Sequence, residues 1–202
     1  MANINQALDI KMPKLVNSEQ YRKEILSKCF DLFAEKGYAN VTTRQLCKEL
    51  GISTGAMYHY FPSKQALFEQ LVEEMSMQEF QLFKAATCGH TLSERIQGLE
   101  KLLIDNEEHF IKQAAIWMDF YQHHEIAEID KNPVFQKIDK RSQQEISEFL
   151  NLRDLKLARF VWTLINGILI EQLEGNDNFS FEEQIHLLTQ MLTAYFEKHF
   201  PK

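Results

Sequence analysis

Apolar residues recur along this chain at spacings of three and four, the mark of helices with one face turned to a core. The first stripe starts at Ser18, where Tyr21, Ile25, Cys29, Leu32 and Phe33 share a face with Leu26 and Phe30 beside them. Gly37 stops that helix in the manner of a C-cap. Thr42-Thr43-Arg44-Gln45 has the form of a capping box and predicts a short helix ending near Gly51. Ser53 caps a third helix of about two turns, which Pro62-Ser63 breaks. Ser63 caps a longer helix through Leu67, Leu71, Met75 and Phe80 to about Ala86.

The pattern restarts at Thr91, a second capping box with Glu94, followed by the stripe Ile96, Leu99, Leu102 and Leu103. Asp105-Asn106 reads as a junction, and the next helix, from about Glu107, carries Phe110, Ala114, Trp117, Met118 and Tyr121. Asn132-Pro133 suits the N-cap and first position of another helix, with Val134, Ile138, Ile146, Phe149 and Leu150 inward. Asp154 opens a helix that Gly175 closes, and Ser180 with Glu183 opens the last. No repeat and no convincing strand is present, so the fold class is all-α, with about nine helices. Three divisions follow: a loose arm over 1–16, a three-helix unit over 17–64, and a linking helix with a second helical domain over 65–202.

The helix from Asp154 is apolar on two sides. One carries Leu155, Ala158, Trp162, Ile165 and Leu169, and the other Leu157, Phe160, Val161, Leu164 and Ile168. The last helix repeats this, with Ile185, Leu188, Leu192 and Tyr195 beside Leu187, Met191 and Ala194. A helix apolar on two sides is buried on two sides. The economical solution is a homodimer in which these two helices meet their copies in a four-helix interface through Leu155, Trp162, Leu169, Leu188 and Leu192.

Composition narrows the classes further. Seven glycines and four prolines in 202 residues are well below the roughly 12% that is usual, which fits long helices with few corners. No apolar run approaches the ~18 residues that span a bilayer, and the start has no apolar leader segment. Cys29, Cys47 and Cys88 are too few and too scattered for a disulfide or zinc framework. A cytoplasmic protein is expected, with no membrane contact. The net charge of −7 is unevenly spread. Between Lys11 and Lys64 nine Lys and Arg face five Asp and Glu, a balance of +4, which leaves −11 for the rest. A basic first third on an acidic body fits one part that faces a polyanion.

That basic part also carries the candidate chemistry. Gly51-Ile52-Ser53 joins two short helices as the turn of a helix-turn-helix. In the helix after it, Thr54, Gly55, Ala56, Tyr58 and His59 are small or polar, while Met57, Tyr60 and Phe61 can pack inward in part. Small residues allow close approach to base edges, and Thr, Tyr and His can bond phosphates. The stretch from Val41 to Leu67, preceded by Phe33-Ala34-Glu35-Lys36-Gly37-Tyr38, resembles the signature of TetR-type bacterial transcriptional regulators. The set Gly37, Thr43, Gly51, Ser53, Gly55, Tyr58, Tyr60-Phe61 and Lys64 carries the resemblance, which is close over about residues 18–72. Cys47 and Leu50 stand where that family commonly has Ala, both facing the inside of the motif.

The resemblance implies a homodimeric repressor that binds an inverted-repeat operator in double-stranded DNA and is released by a small effector in its C-terminal domain. By position, Thr43, Thr54, Tyr58, His59, Tyr60 and Lys64 would contact phosphates or bases, with Gly55 giving clearance and Arg44 reaching from the helix before. A lipophilic or aromatic effector is expected among Phe110, Trp117, Phe120, Tyr121, Trp162 and Asn166. The alternative is a DNA-binding protein of the same fold that answers to a protein partner, for which a cavity filled by its own side chains would speak. An enzyme is not expected, because no nucleophile elbow, phosphate loop or convincing pair of carboxylates is present. No cofactor or metal is expected either: His123 and His124 point to different sides of a helix, and His109 lies about four turns away.

Overall fold

A computed structural model describes residues 18–86, 89, 91–175 and 179–199. The expected arm over 1–16 and Cys88 lie outside the described residues. Within them the chain forms ten α-helices and no strand. They are α1 (Ser18–Lys36), α2 (Thr43–Leu50), α3 (Thr54–Tyr60), α4 (Lys64–Ala86) and α5 (Leu92–Asp105), then α6 (Glu107–Gln122), α7 (Ile126–Lys131), α8 (Pro133–Phe149), α9 (Leu155–Leu173) and α10 (Phe181–His199). The tenth helix relative to expectation is α7, only six residues long. That is too short for a periodic signal, and it is held by the burial of Ile129.

The local start signals act as written. Thr42 Oγ1 accepts from Gln45 N at 3.3 Å while Gln45 Oε1 accepts from Thr42 N at 2.8 Å. Ser53 and Ser63 accept from Ala56 N and Ala66 N, each at 3.0 Å. Asn132 caps Val134 at 2.9 Å ahead of Pro133, and Asp154 caps Lys156 at 2.8 Å. Each bond satisfies an amide that the helix itself cannot reach.

Two buried clusters share the molecule. One joins α1 to α4 with Ile116 and Phe120 of α6, Ile129 of α7, and Phe135 and Ile138 of α8. The other fills the space among α5, α6, α8, α9 and α10. The three-helix head therefore closes its core on the body. Phe68 of α4 stacks on Phe120 at 4.1 Å and meets Phe33, Tyr38, Trp117 and Phe135 edge-on or tilted.

The turn after α1 is a second joint. Ala39 N donates to Asp119 Oδ2 at 3.0 Å. Gly37 has φ +79, and a Cβ there would lie 2.7 Å from Asp119 Oδ1. Gly37→Ala therefore meets both left-handed strain and displacement of Asp119. We expect a loss of about 2–3 kcal/mol in urea titrations, and a loss near zero would show that the turn is free to rearrange.

The expected dimer face needs correction. Leu169, Leu188 and Leu192 are buried in their own subunit's core, and Trp162 packs against that core. Only Leu155 of that set is exposed. The two apolar sides of α9 are equivalent in sequence, and packing on α6, α8 and α10 selects Ala158, Val161, Ile165 and Leu169 as the inner one. Besides Leu155, the apolar side chains left exposed include Phe160 on α9 and Leu187, Met191 and Tyr195 on α10.

Candidate nucleic-acid interface and ligand cavity

The head presents α3 to solvent because its inner side is narrow. Met57 is buried, and Phe61 follows it into the core. The Gly51 turn, at φ 66, sends its amide back to Cys47 and Lys48 carbonyls and sets α3 across α2. Cys47 is buried and Leu50 packs against the same core, as their inward positions require. Burial raises the Cys29 thiol to about 12, with Cys47 adding to it, so Cys29 is an inert packing group.

Arg44 on α2 and Thr54, Gly55, Tyr58 and His59 on α3 are exposed, with Thr43 partly covered. A Cβ on Gly55 would meet nothing nearer than Ser53 Oγ at 4.0 Å. Nothing inside the chain calls for glycine there, whereas a helix interior penalises it. Tyr60 and Lys64 stand differently. The Tyr60 ring lies 5.6 Å from Tyr21 and packs against the head's core. Lys64 Nζ sits 4.1 Å over the Tyr38 ring, and burial, only partly offset by Asp119, lowers its pKa. Both are placed at the edge of the exposed face rather than on it.

The body holds a cavity of about 220 Å³ between α4, α6, α8 and α9. Phe110, Trp117, Tyr121, Trp162 and Asn166 line it, as the sequence suggests. Phe120 does not: its ring is held between Phe68 and His124, 3.9 Å from the latter. Phe135 takes that place on the wall. The polar lining residues Ser76, Glu79, Gln113, Asp139 and Ser142 were missed, and among them Glu79 is the buried carboxyl. Its signal was available, because Val72, Met75, Ser76, Glu79 and Phe83 fall on one buried stripe of α4 and a carboxylate there is out of pattern. His123 and His124 bond the backbone carbonyls of Asp119 and Phe120. Among the described residues no group of three His, Cys, Asp or Glu is arranged to hold a metal ion.

Together these features define a class: a helix-turn-helix head on an all-helical body with a partly open cavity. Residues 25–71 match the family described as bacterial regulatory proteins, tetR family. Over those residues the chain carries the helix-turn-helix domain of the TetR-type bacterial regulatory proteins. It is similar to the nucleoid occlusion factor SlmA of Glaesserella parasuis, 44% identical over 69 residues, which are 34% of each chain. It is also similar to the HTH-type transcriptional repressor KstR2 of Mycobacterium tuberculosis, 30% identical over 132 residues, 64% of this chain and 62% of that one. The chain thus spans about a third of the SlmA relative's length and less than two thirds of KstR2. The same fold occurs in the Bacillus subtilis transcriptional regulator FadR, solved in complex with stearoyl-CoA. That likeness has a TM-score of 0.66 at 15% identity and covers 85% of this chain and 97% of FadR. Among the described residues no helix is long and apolar enough to cross a membrane.

Proposed function

We propose that this chain is a homodimeric, sequence-specific DNA-binding regulator that represses from an inverted-repeat operator and is released by a small apolar ligand. The observation that carries it is the exposure of Thr54, Gly55, Tyr58 and His59, which share one face of α3, together with that of Arg44 on α2. In this reading Arg44 and Tyr58 hold phosphates, Thr54 and His59 reach base edges, and Gly55 leaves room for the duplex. Lys64 and Tyr60 contact phosphate from the edge of the face, Lys64 by leaving the Tyr38 ring.

Two heads of a dimer must sit ~34–36 Å apart to enter successive major grooves. The helix α4 runs from the head at Lys64 to the cavity wall at Glu79, so its tilt links the two. Trp117 and Phe135 belong both to that wall and to the aromatic cluster around Phe68. A ligand that favours one tilt shifts DNA affinity by its differential affinity for the two states, typically ~1–3 kcal/mol.

Control by a protein partner is the second reading, favoured by the SlmA likeness. That likeness covers about a third of the chain, and the open cavity supports a small ligand instead.

Selection from randomised duplex DNA tests the first half. The expected product is an inverted repeat whose half-sites lie about one helical turn apart. Gly55→Val is the sharper arm: it leaves folding intact yet lowers affinity for the selected site at least tenfold, read by fluorescence anisotropy. Selection of no consensus, or a Gly55→Val protein that binds normally, would sink the docking.

A further inference from the structure

The cavity is walled by rings, and the carboxyls on its wall have no cationic side chain beside them among the described residues that line it. Its ionisable carboxylates are Glu79 and Asp139, and among the described residues no lysine, arginine or histidine lines it. Asp139 is exposed to solvent, but Glu79 is only 7% exposed and its Oε1 has no hydrogen-bond partner. Arg141, the nearby cation, is engaged elsewhere. It donates to Glu73 Oε1 at 3.0 Å and to Ser76 Oγ at 2.9 Å.

These features discriminate among ligands. An anion would meet the Asp139 carboxylate and a Glu79 it cannot ionise, with no cationic side chain among the described lining residues to offset its own charge. A neutral apolar body would offer the Glu79 carboxyl no partner. A cation would pair with Glu79 and lie against electron-rich ring faces. The rings of Trp117 and Tyr121 stand 5.7 Å apart, with Phe110, Phe135 and Trp162 also on the wall. We propose that the cavity takes a lipophilic monocation, an ammonium or amidinium group on a small apolar body, with Glu79 as its counter-charge. A volume of about 220 Å³ lies below the usual range for drug-sized ligands, which favours one ring or a short branched chain. This names the ligand class for the effector site proposed above and rests on that reading.

Titration of Glu79 fits the same picture. Burial, helped by the Glu145 carboxyl, pushes Glu79 up to about 8. The empty cavity therefore holds it protonated near neutrality, and a bound cation expels that proton. Affinity for the cation rises as pH climbs towards about 8. The other charged or titratable groups around it are Glu145, Asp139 and Arg141 from α8 and Tyr121 from α6. Burial pushes Glu145 up to about 7, and burial with Asp139 and Asp130 raises the Tyr121 hydroxyl.

The molecule carries its own reporter, because both of its tryptophans, Trp117 and Trp162, line the cavity. The full-length protein, without DNA, is titrated by tryptophan fluorescence with three probes. They are benzyltrimethylammonium, its uncharged carbon isostere neopentylbenzene, and phenylacetate. We expect saturable binding of the cation at least tenfold tighter than either of the others. Glu79→Gln should erase that preference while still binding the neutral isostere, and Asp139→Asn should keep it. Equal affinities, a preference for phenylacetate, or no saturable binding of the cation at millimolar concentration would each overturn the proposal. So would a preference that survives Glu79→Gln. Because DNA is absent, such a failure leaves the operator reading standing, and that reading fails separately in the selection experiment.

Discussion

Arginine at both Phe160 and Met191 will turn the protein into a well-folded monomer that no longer holds an inverted-repeat site. In the isolated subunit these side chains are 57% and 60% exposed, so each change alone is a surface substitution worth within about ±0.5 kcal/mol of stability. Across a two-fold axis every residue counts twice, and the arginines would meet in an apolar contact. Phe160, Leu164, Gly167 and Ile168 on α9 follow the spacing i, i+4, i+7, i+8. Leu187, Met191, Ala194 and Tyr195 on α10 follow the same spacing, each helix with a small residue at the third place. A Cβ on Gly167 would touch nothing within 4 Å in its own subunit. Such paired stripes suit two helices packed against their copies at close range. Burying unpaired charge there costs several kcal/mol, and ~4 kcal/mol weakens a dimer about a thousandfold. Sedimentation should show a dimer for the wild type and a monomer for the double variant, with unchanged helical circular dichroism. Leu169→Arg and Leu188→Arg are the contrast: they should unfold the subunit, since both leucines lie in its core. A double variant that stays dimeric would move the interface elsewhere, and a monomeric wild type would remove it.

This contrast shows where the sequence stops being informative. Every helix start that rests on a side-chain cap was legible, because Thr42 with Gln45, Ser53, Asn132 and Asp154 act on amides within three residues. The reading head was legible for the same reason, its turn being set by Gly51 and its inner side by Met57 and Phe61. The two sides of α9 were not, because one helix cannot tell which neighbour will cover which stripe. Phe120 and Phe135 illustrate the same limit. Both are buried aromatics of the body, and only their tertiary surroundings put Phe120 on Phe68 and Phe135 on the cavity. Lys64 was expected to face an outside anion, yet the Tyr38 ring, twenty-six residues earlier in the chain, takes its ammonium. Glu79 sits on a buried stripe in plain view, but a lone carboxylate there gains meaning only when the space beside it is seen to be open.

Raising the pH from about 7 to about 8 should weaken the wild-type protein, and Glu79→Gln should abolish most of that loss. An ordinary glutamate in the unfolded chain titrates near 4.5, whereas burial, with Glu145 beside it, holds folded Glu79 protonated up to about 8. Burial likewise raises Glu145 to about 7, despite the opposing pull of Arg141. Below 4.5 both states carry these protons and the folded state keeps its full advantage. Between 4.5 and 8 the unfolded chain has lost a proton that the folded one still holds, so stability falls as pH rises. The slope approaches ~1.4 kcal/mol per pH unit for each group. Two other groups act in other windows. Burial and Lys112 lower the pKa of His109, so it opposes this trend only below its ordinary value of 6.5. Glu73 is partly buried, yet Lys137 and Arg141 hold its carboxyl low, so its contribution disappears only below about 4.5. Glu145 shares the trend up to about 7, so the clean window for Glu79 is from about 7 to about 8. There the urea midpoint of the wild type should drop steadily while that of Glu79→Gln stays nearly level. At the alkaline end the variant should be the more stable by on the order of 2–3 kcal/mol, since it removes a buried charge and its amide can donate to a neighbouring acceptor. Parallel curves for the two proteins would mean that Glu79 is hydrated in solution, and with that its place as the buried acid of the cavity would be lost.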